Sequence, residues 1–398
     1  MTRSPAPPAS NKKAKLVVPF LTFLLITIGL VFISLSSLSE ANSTIGDKFF
    51  FIKKQLSWLL VGTLSYVVFT KIKLSVIKNL SFPLYIASIL TLILVLIPTL
   101  GNQALGARRW LDLGIIGIQP SETVKFTSVV YFSYLFSRES KRNIKNLVIY
   151  LAIPFFLILL QPNLSTAILI STIVITVYYL AGGEITSLFF LCFFAALLSF
   201  LLIFTSDYRS ARFKTLFNPQ ENTSTASYHS NQIILALASG GFFGKGVANS
   251  DQKYRYIPKV STDSILAVIG EETGFIGVGL ILFLYLYLVV YLFKLAAKIT
   301  DPFQSLFVNS TACWIAYQCL INVSAIVAII PLTGVPLPFI SYGGSSLITL
   351  LSAIGLVVNI EQNNNKLLYS TSEKNKQGPS HNGNPHNSGN RTDKPTQK

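Results

Sequence analysis

Ten apolar runs constrain this chain more than anything else in it: residues 16–36, 56–70, 82–100, 121–136, 147–161, 165–181, 186–205, 264–292, 306–330 and 344–360. Each is read as one helical crossing of a hydrocarbon layer ~30 Å thick. A chain of 398 residues that is 51% apolar and 12% charged, with a mean hydropathy of +0.55, is too apolar for a soluble protein. The reading is an all-α polytopic membrane protein with about ten transmembrane helices and one large loop outside the cytoplasm. Residues 1–15 form a basic N-terminal tail, 16–361 the membrane domain with its loop at 206–262, and 362–398 a C-terminal tail. The first run is longer than the apolar core of a signal peptide and no small-residue cleavage pattern follows it, so it reads as a retained span. The C-terminal tail is rich in Asn, Ser, Lys, Gly and Pro and has almost nothing apolar to bury, so it is expected to be disordered.

Charge sets the orientation. With an even number of spans and the N-terminus inside, the short inner connections 71–79, 138–146 and 294–302 carry Lys71, Lys73, Lys78, Arg138, Lys141, Arg142, Lys145, Lys294 and Lys298, which satisfies the positive-inside rule and places both termini in the cytoplasm. Lys48, Lys53 and Lys54 argue the other way. The net charge of +16 comes from cations scattered between apolar runs, not from one dense patch with aromatics, so no nucleic-acid partner is implied. Cys192, Cys313 and Cys319 all lie within apolar runs and read as small core residues.

Three segments on the outer side carry the residues with chemistry: 101–119, 206–262 and 331–343. Directly after the second, Asp263 stands at the mouth of an apolar helix, with Glu271 and Glu272 about two turns further in. Carboxylates at that depth cost several kcal/mol unless paired or wetted, which marks them as functional candidates. Asp263 suits a general base, its carboxyl tuned by partial burial and nearby cations; an N-cap role is the alternative. Structural hydrogen bonding suits Glu271 and Glu272 better. The loop is basic, and Lys245 and Lys253 fit binding of a phosphate-bearing lipid; a solvated face against anionic lipid is the alternative. Its Gly240-Gly241-Phe242-Phe243-Gly244-Lys245-Gly246 stretch fails the phosphate-loop spacing, with Ser239 where Gly is required and Gly246 where Ser or Thr is required.

In the first segment, Arg108 and Arg109 beside Trp110 suit an anionic headgroup at the interface, or interfacial anchoring alone. Pro120 and Ser121 open a helix on which Glu122 and Lys125, three residues apart, share a face and can pair, either to fix packing or as a polar wall near Asp263. The third segment includes Pro336, Pro338, Ser341 and Gly343 and cannot form regular helix, so at membrane depth it is expected to line a cavity, with Gln318 and Asn322 able to satisfy its freed backbone groups. No cluster of ligands declares a metal site.

Together, Gly106-Ala107-Arg108-Arg109-Trp110, Gln119-Pro120-Ser121-Glu122 with Lys125, Asn249-Ser250-Asp251-Gln252-Lys253, Thr262-Asp263 with Ala267-Val268-Ile269-Gly270-Glu271-Glu272, and Pro336-Leu337-Pro338-Phe339-Ile340-Ser341-Tyr342-Gly343-Gly344-Ser345-Ser346 resemble the SEDS family (shape, elongation, division and sporulation). These are the polytopic glycosyltransferases of peptidoglycan synthesis. The resemblance runs from Leu16 to Ile360 and implies a ten-span helical fold in the bacterial inner membrane. It also implies polymerisation of lipid II at the outer face, with undecaprenyl-pyrophosphate-linked glycan as the growing strand. A class B penicillin-binding protein, a transpeptidase, is the implied partner, with divisome proteins around it. Asp263 matches the family's essential outer-loop aspartate, Glu122 and Lys125 match polar residues of its central cavity, and Trp110 matches its loop tryptophan. The Asn249 to Lys253 motif, followed by Tyr256 and Pro258, is closer to the cell-division branch than to the elongation branch.

The chain departs from the family pattern at three places. Asn163 in Pro162-Asn163-Leu164-Ser165-Thr166 replaces a cavity carboxylate, Ser264 stands where Phe follows the aspartate, and His229 stands where Gln follows the tyrosine. The implied reaction has Asp263 deprotonating a sugar hydroxyl while cations, with a divalent ion as a candidate helper, stabilise the departing pyrophosphate. An elongation polymerase, a lipid II flippase and an inactive scaffold for a transpeptidase remain as alternatives. The flippase is disfavoured because the polar groups gather toward the outer half instead of along a path.

Overall fold

Inside hydrocarbon a backbone satisfies its own polar groups only in helices or closed barrels, and this chain takes the helical form. The computed structural model describes residues 16–44, 47, 49–99, 101–104, 107–112, 117–204, 210, 225–247, 250 and 262–376. The helices are α1 Val17–Thr44, α2 Phe50–Lys71, α3 Leu74–Leu94, α4 Pro120–Phe136, α5 Ile144–Leu160, α6 Leu164–Leu180, α7 Ile185–Phe204, α8 Thr225–Gly240, α9 Ile265–Ala296, α10 Pro302–Ile326 and α11 Gly344–Lys376. By length and composition α1, α3, α9, α10 and α11 can cross a membrane, and α5 and α6 are shorter apolar helices. Each expected span overlaps one of these helices, and the molecule is a multi-pass, helical membrane protein.

Helix starts follow local chemistry. Asn143 caps α5 by accepting the Asn146 N–H at 2.8 Å, and Asp301 caps α10 by accepting the Gln304 N–H at 3.0 Å, with Pro302 in the first turn. α4 is buried on nearly every side, packed by α3, α6, α10 and α11, and forms the centre of the bundle. Small hydroxyls join neighbouring helices there: Ser88 to Thr127 at 2.7 Å, Ser133 to Ser310 at 3.2 Å, and Thr176 to Tyr317 at 2.9 Å.

The structure corrects four expectations. The connection expected at 71–79 is short, because α3 already begins at Leu74, and Lys78 within it pairs with Asp301 at 2.7 Å. Hydropathy reports only the part of a helix that lies in lipid. Segment 101–119 holds a small antiparallel sheet of β1 Gly101–Ala104, β2 Ala107–Asp112 and β3 Gly117–Ile118, with Asn102 opposite Trp110 and Leu111 opposite Ile118. The large loop contains α8, whose Ile233 and Ala236 are buried against the bundle. The tail boundary at 362 falls inside α11, which continues to Lys376: Glu361 accepts the Tyr291 hydroxyl at 2.9 Å, and Asn364 donates to the Lys298 carbonyl at 3.2 Å. Those polar side chains hold partners that composition alone does not reveal. Residues 1–15 and 377–398 lie outside the described part of the chain.

The sharpest feature is a break in α9. Gly274, at φ 68° and ψ −168°, interrupts the helix and frees the backbone groups on either side. Residues 275–296 then span about 33 Å by themselves, enough for the hydrocarbon layer. Residues 265–273 form a separate half-helix on the face that carries the three loops.

Candidate active site

The half-helix 265–273 is held at its far end by the glycine-rich turn after α8. The freed amides of Phe275 and Ile276 donate to the carbonyls of Gly241 (2.9 Å) and Phe242 (3.3 Å). In return Lys245 and Gly246 donate their amides to the carbonyls of Glu271 (2.9 Å) and Glu272 (3.0 Å). The turn thus satisfies the backbone that the break exposes, and this is what its glycines are for. Gly244 has φ +80°, and a Cβ there would lie 2.2 Å from the Glu272 carbonyl oxygen. We therefore expect Gly244→Val to cost at least about 1–3 kcal/mol, measured as a lower unfolding temperature in detergent. Gly279→Ala, which meets open space on α9, is the matched control and should leave it unchanged.

Side chains reinforce this clasp. The fully buried Glu271 accepts from Lys245 Nζ at 2.9 Å and Ser239 Oγ at 3.3 Å, and also from Ser250 Oγ. Glu271 is thus a structural hub, and Glu272, equally buried, supplies its carbonyl to the turn. The expectation of a headgroup-binding Lys245 changes accordingly, since its ammonium is engaged by a buried carboxylate. Lys253 lies outside the described residues, as do Asn249, Asp251, Gln252, Tyr256 and Pro258.

At the near end of the half-helix stands Asp263, partly buried just before the N-cap residue Ser264, which makes no side-chain cap bond. The capping alternative for Asp263 is not realised. Its Oδ1 accepts from Thr262 Oγ1 at 2.9 Å, and a Cβ built on Gly334 of the third loop would lie 3.8 Å from its Oδ2. Among the described residues no cation pairs with it.

Behind Asp263, α10 presents Trp314, Gln318 and Asn322 at successive turns. Asn322 Nδ2 donates both to the Asp263 carbonyl and to the Val335 carbonyl, each at 2.9 Å. Gln318 Nε2 donates to the Pro336 carbonyl at 2.8 Å, while its Oε1 accepts from Trp314 Nε1 at 2.8 Å and Lys125 Nζ at 3.1 Å. Lys125 lies 2.7 Å from Glu122 Oε2, an ion contact without hydrogen-bond alignment, and both residues are almost fully buried. One polar ladder therefore joins the ion pair on α4, the third loop and Asp263. Sequence reading gave Gln318 and Asn322 only the loop backbone; polar groups spaced four apart in an apolar run were the signal for more.

The third loop is pinned by side chains and amides of several elements. Tyr285 donates to the Pro338 carbonyl, Ser341 Oγ accepts the Leu337 amide at 2.8 Å, and Gly343 donates its amide to Gln55 Oε1 at 3.4 Å. Gln119 donates its amide to Ser345 Oγ at 3.0 Å, tying the α4 entrance to α11. Irregular backbone at this depth is tolerated because side chains take up its polar groups.

The sheet contributes differently from what its sequence suggests. Arg109 Nε donates to the Gln161 carbonyl at 2.9 Å and Nη2 to the Pro162 carbonyl, so this guanidinium clips β2 to the α5–α6 corner. It acts as a fastener where a free headgroup ligand was expected. Asn163, at that corner, is buried and heads α6 without a side-chain cap bond. Arg108 and Trp110 alternate with Arg109 along β2 and are partly buried. Cys313 and Cys319 are buried free thiols; the side chain of Cys192 is outside the described set.

Comparison with known proteins gives a consistent result. A family model described as "Cell cycle protein", covering FtsW, RodA and SpoVE, matches residues 15–366. Stage V sporulation protein E of Bacillus subtilis is 33% identical over 87% of this chain and 96% of its own length. A probable peptidoglycan glycosyltransferase FtsW of Trichlorobacter lovleyi is 32% identical over 87% and 92%. Among solved structures, a chain of a peptidoglycan synthase complex that coordinates polymerization and crosslinking superimposes with a TM-score of 0.73 at 26% identity, over 87% of this chain and 97% of that one. The Thermus thermophilus rod shape determining protein RodA gives 0.64 at 27% identity, over 87% and 96%.

Proposed function

We propose, because the chain belongs to the FtsW, RodA and SpoVE family of cell cycle proteins, that it polymerises lipid II into glycan strands at the outer face of a bacterial inner membrane. It is a peptidoglycan glycosyltransferase. The observation that carries the reading is the state of Asp263, a half-buried carboxylate at the loop face that neither caps its helix nor, among the described residues, pairs with a cation. A general base needs such a carboxylate, reachable from the loop face and not committed to a cation.

In the reaction, Asp263 takes the proton from a sugar hydroxyl of the acceptor. The hydroxyl oxygen forms a bond to the anomeric carbon of the donor strand as the bond from that carbon to the lipid pyrophosphate oxygen breaks. The pyrophosphate leaves with the bonding electrons, and cations of the outer loops, with Arg108 the candidate on β2, stabilise its growing charge. A divalent ion remains the candidate helper for the departing pyrophosphate; among the described residues no group of three His, Cys, Asp or Glu side chains is placed to hold one.

The finer points belong to the same proposal. Both termini face the cytoplasm, and the basic connections at 138–146 and 294–302 support that orientation. A class B transpeptidase is the partner, supported by likeness to a chain of a peptidoglycan synthase complex, and septal synthesis within the divisome is the setting, supported by the FtsW relatives. The test is to incubate the purified chain, with and without a class B transpeptidase, with labelled lipid II. Glycan polymer is expected. Movement of lipid II between leaflets with no polymer under either condition would replace polymerisation with transport.

A further inference from the structure

His229 and Ser264 are 35 residues apart in sequence and touch in the fold: His229 Nε2 lies 3.0 Å from Ser264 Oγ. The contact falls on the residue next to Asp263. Ser264 is buried, and His229 reaches it from α8 while Asn322 reaches the Asp263 carbonyl from α10 at 2.9 Å. Asn322 is itself buried and commits both hydrogens of its amide, one to Asp263 and one to Val335 of the third loop. The start of the half-helix is therefore gripped from two helices, as its end is gripped by the clasp at Gly274.

We propose that Asn322 and His229 are positioning residues for Asp263: they act through its carbonyl and through Ser264, fix the height and direction at which the carboxylate meets the acceptor hydroxyl, and do not touch substrate themselves. The physical reason is that a proton-abstracting carboxylate on a helix terminus has no regular backbone before it to hold it. Residues 262–264 form a turn, and the amide and the imidazole supply the fixation that the backbone lacks. Misplacing a reacting group by 1 Å costs about 10²-fold in rate without weakening substrate binding, so the signature is a fall in kcat at constant KM.

This inference rests on the polymerase reading, and its experiment separates the two. Initial rates of polymerisation are measured against lipid II concentration, on full-length protein with its transpeptidase partner, for wild type, Asn322→Ala, His229→Ala, His229→Gln, Ser264→Ala and the double variant His229→Ala/Ser264→Ala, each with an unfolding temperature. Asn322→Ala should lower kcat about 10- to 100-fold with KM within twofold of wild type. His229→Ala and Ser264→Ala should each lower kcat, the double variant no further than either single, and His229→Gln, whose amide can make the same hydrogen bond, should recover most of the loss. The clamp is overturned if the single variants leave kcat unchanged, if their losses add in the double variant, or if activity falls only in step with the folded fraction. A wild type that makes no polymer overturns the polymerase reading itself, and the assignment of these residues with it.

Discussion

Asp263→Asn is expected to abolish glycan polymerisation while leaving the fold and lipid II binding in place, a loss of about 10²- to 10⁴-fold in kcat. The substitution keeps the size of the side chain, the Thr262 hydroxyl can still donate to its carbonyl oxygen, and the Asn322 bond to the main chain is untouched. Only the ability to take a proton is removed. The check is polymer formation at saturating lipid II, beside a binding measurement with the same lipid. A folded Asp263→Asn protein that polymerises at the wild-type rate would dismiss Asp263 as the base. The position tolerates neutralisation structurally because no partner cation among the described residues would be left with a buried, uncompensated charge.

The opposite holds for the ion pair on α4. Lys125→Met leaves the Glu122 carboxylate, almost fully buried, without its cation, and removes one of the two donors to Gln318 Oε1, leaving Trp314. Breaking one side of a buried pair costs about 3–5 kcal/mol, most of it the cost of the stranded charge. A marked drop in unfolding temperature is expected. Adding Glu122→Gln should recover much of that stability, because two neutral side chains carry no stranded charge. If Lys125 also stabilises the departing pyrophosphate, the double variant folds but does not polymerise. Recovery of stability together with activity would confine Lys125 to packing. If the single substitution has no effect on stability, the energetic argument fails.

The two predictions separate residues that sequence reading placed side by side. Glu122, Lys125, Asp263 and Glu271 were all marked by one rule, that a charge inside an apolar run needs a reason. The structure gives them different reasons. Glu122 and Lys125 are three residues apart on one helix, so their pairing is a local event and was legible. Glu271 binds Lys245 and Ser250 from the turn 26 and 21 residues before it, which no helical spacing encodes. Arg109 looked like a headgroup ligand because its neighbours are Arg108 and Trp110, yet its partners are carbonyls at 161 and 162 on another helix corner.

By itself the sequence determined the membrane class, the rough positions of the long apolar helices, and the segments that hold the candidate site residues. These are properties of local apolar length and local charge, which a bilayer reads without reference to the rest of the chain. The tertiary structure alone decided the break of α9 at Gly274, the turn that closes it, the small sheet of β1, β2 and β3, the extension of α11 to Lys376, and the ladder from Lys125 through Gln318 and Asn322 toward Asp263. The physical reason is common to all of them. A polar group withdrawn from water must find a partner, and in a folded membrane protein packing, not sequence distance, sets which partner is within 3 Å.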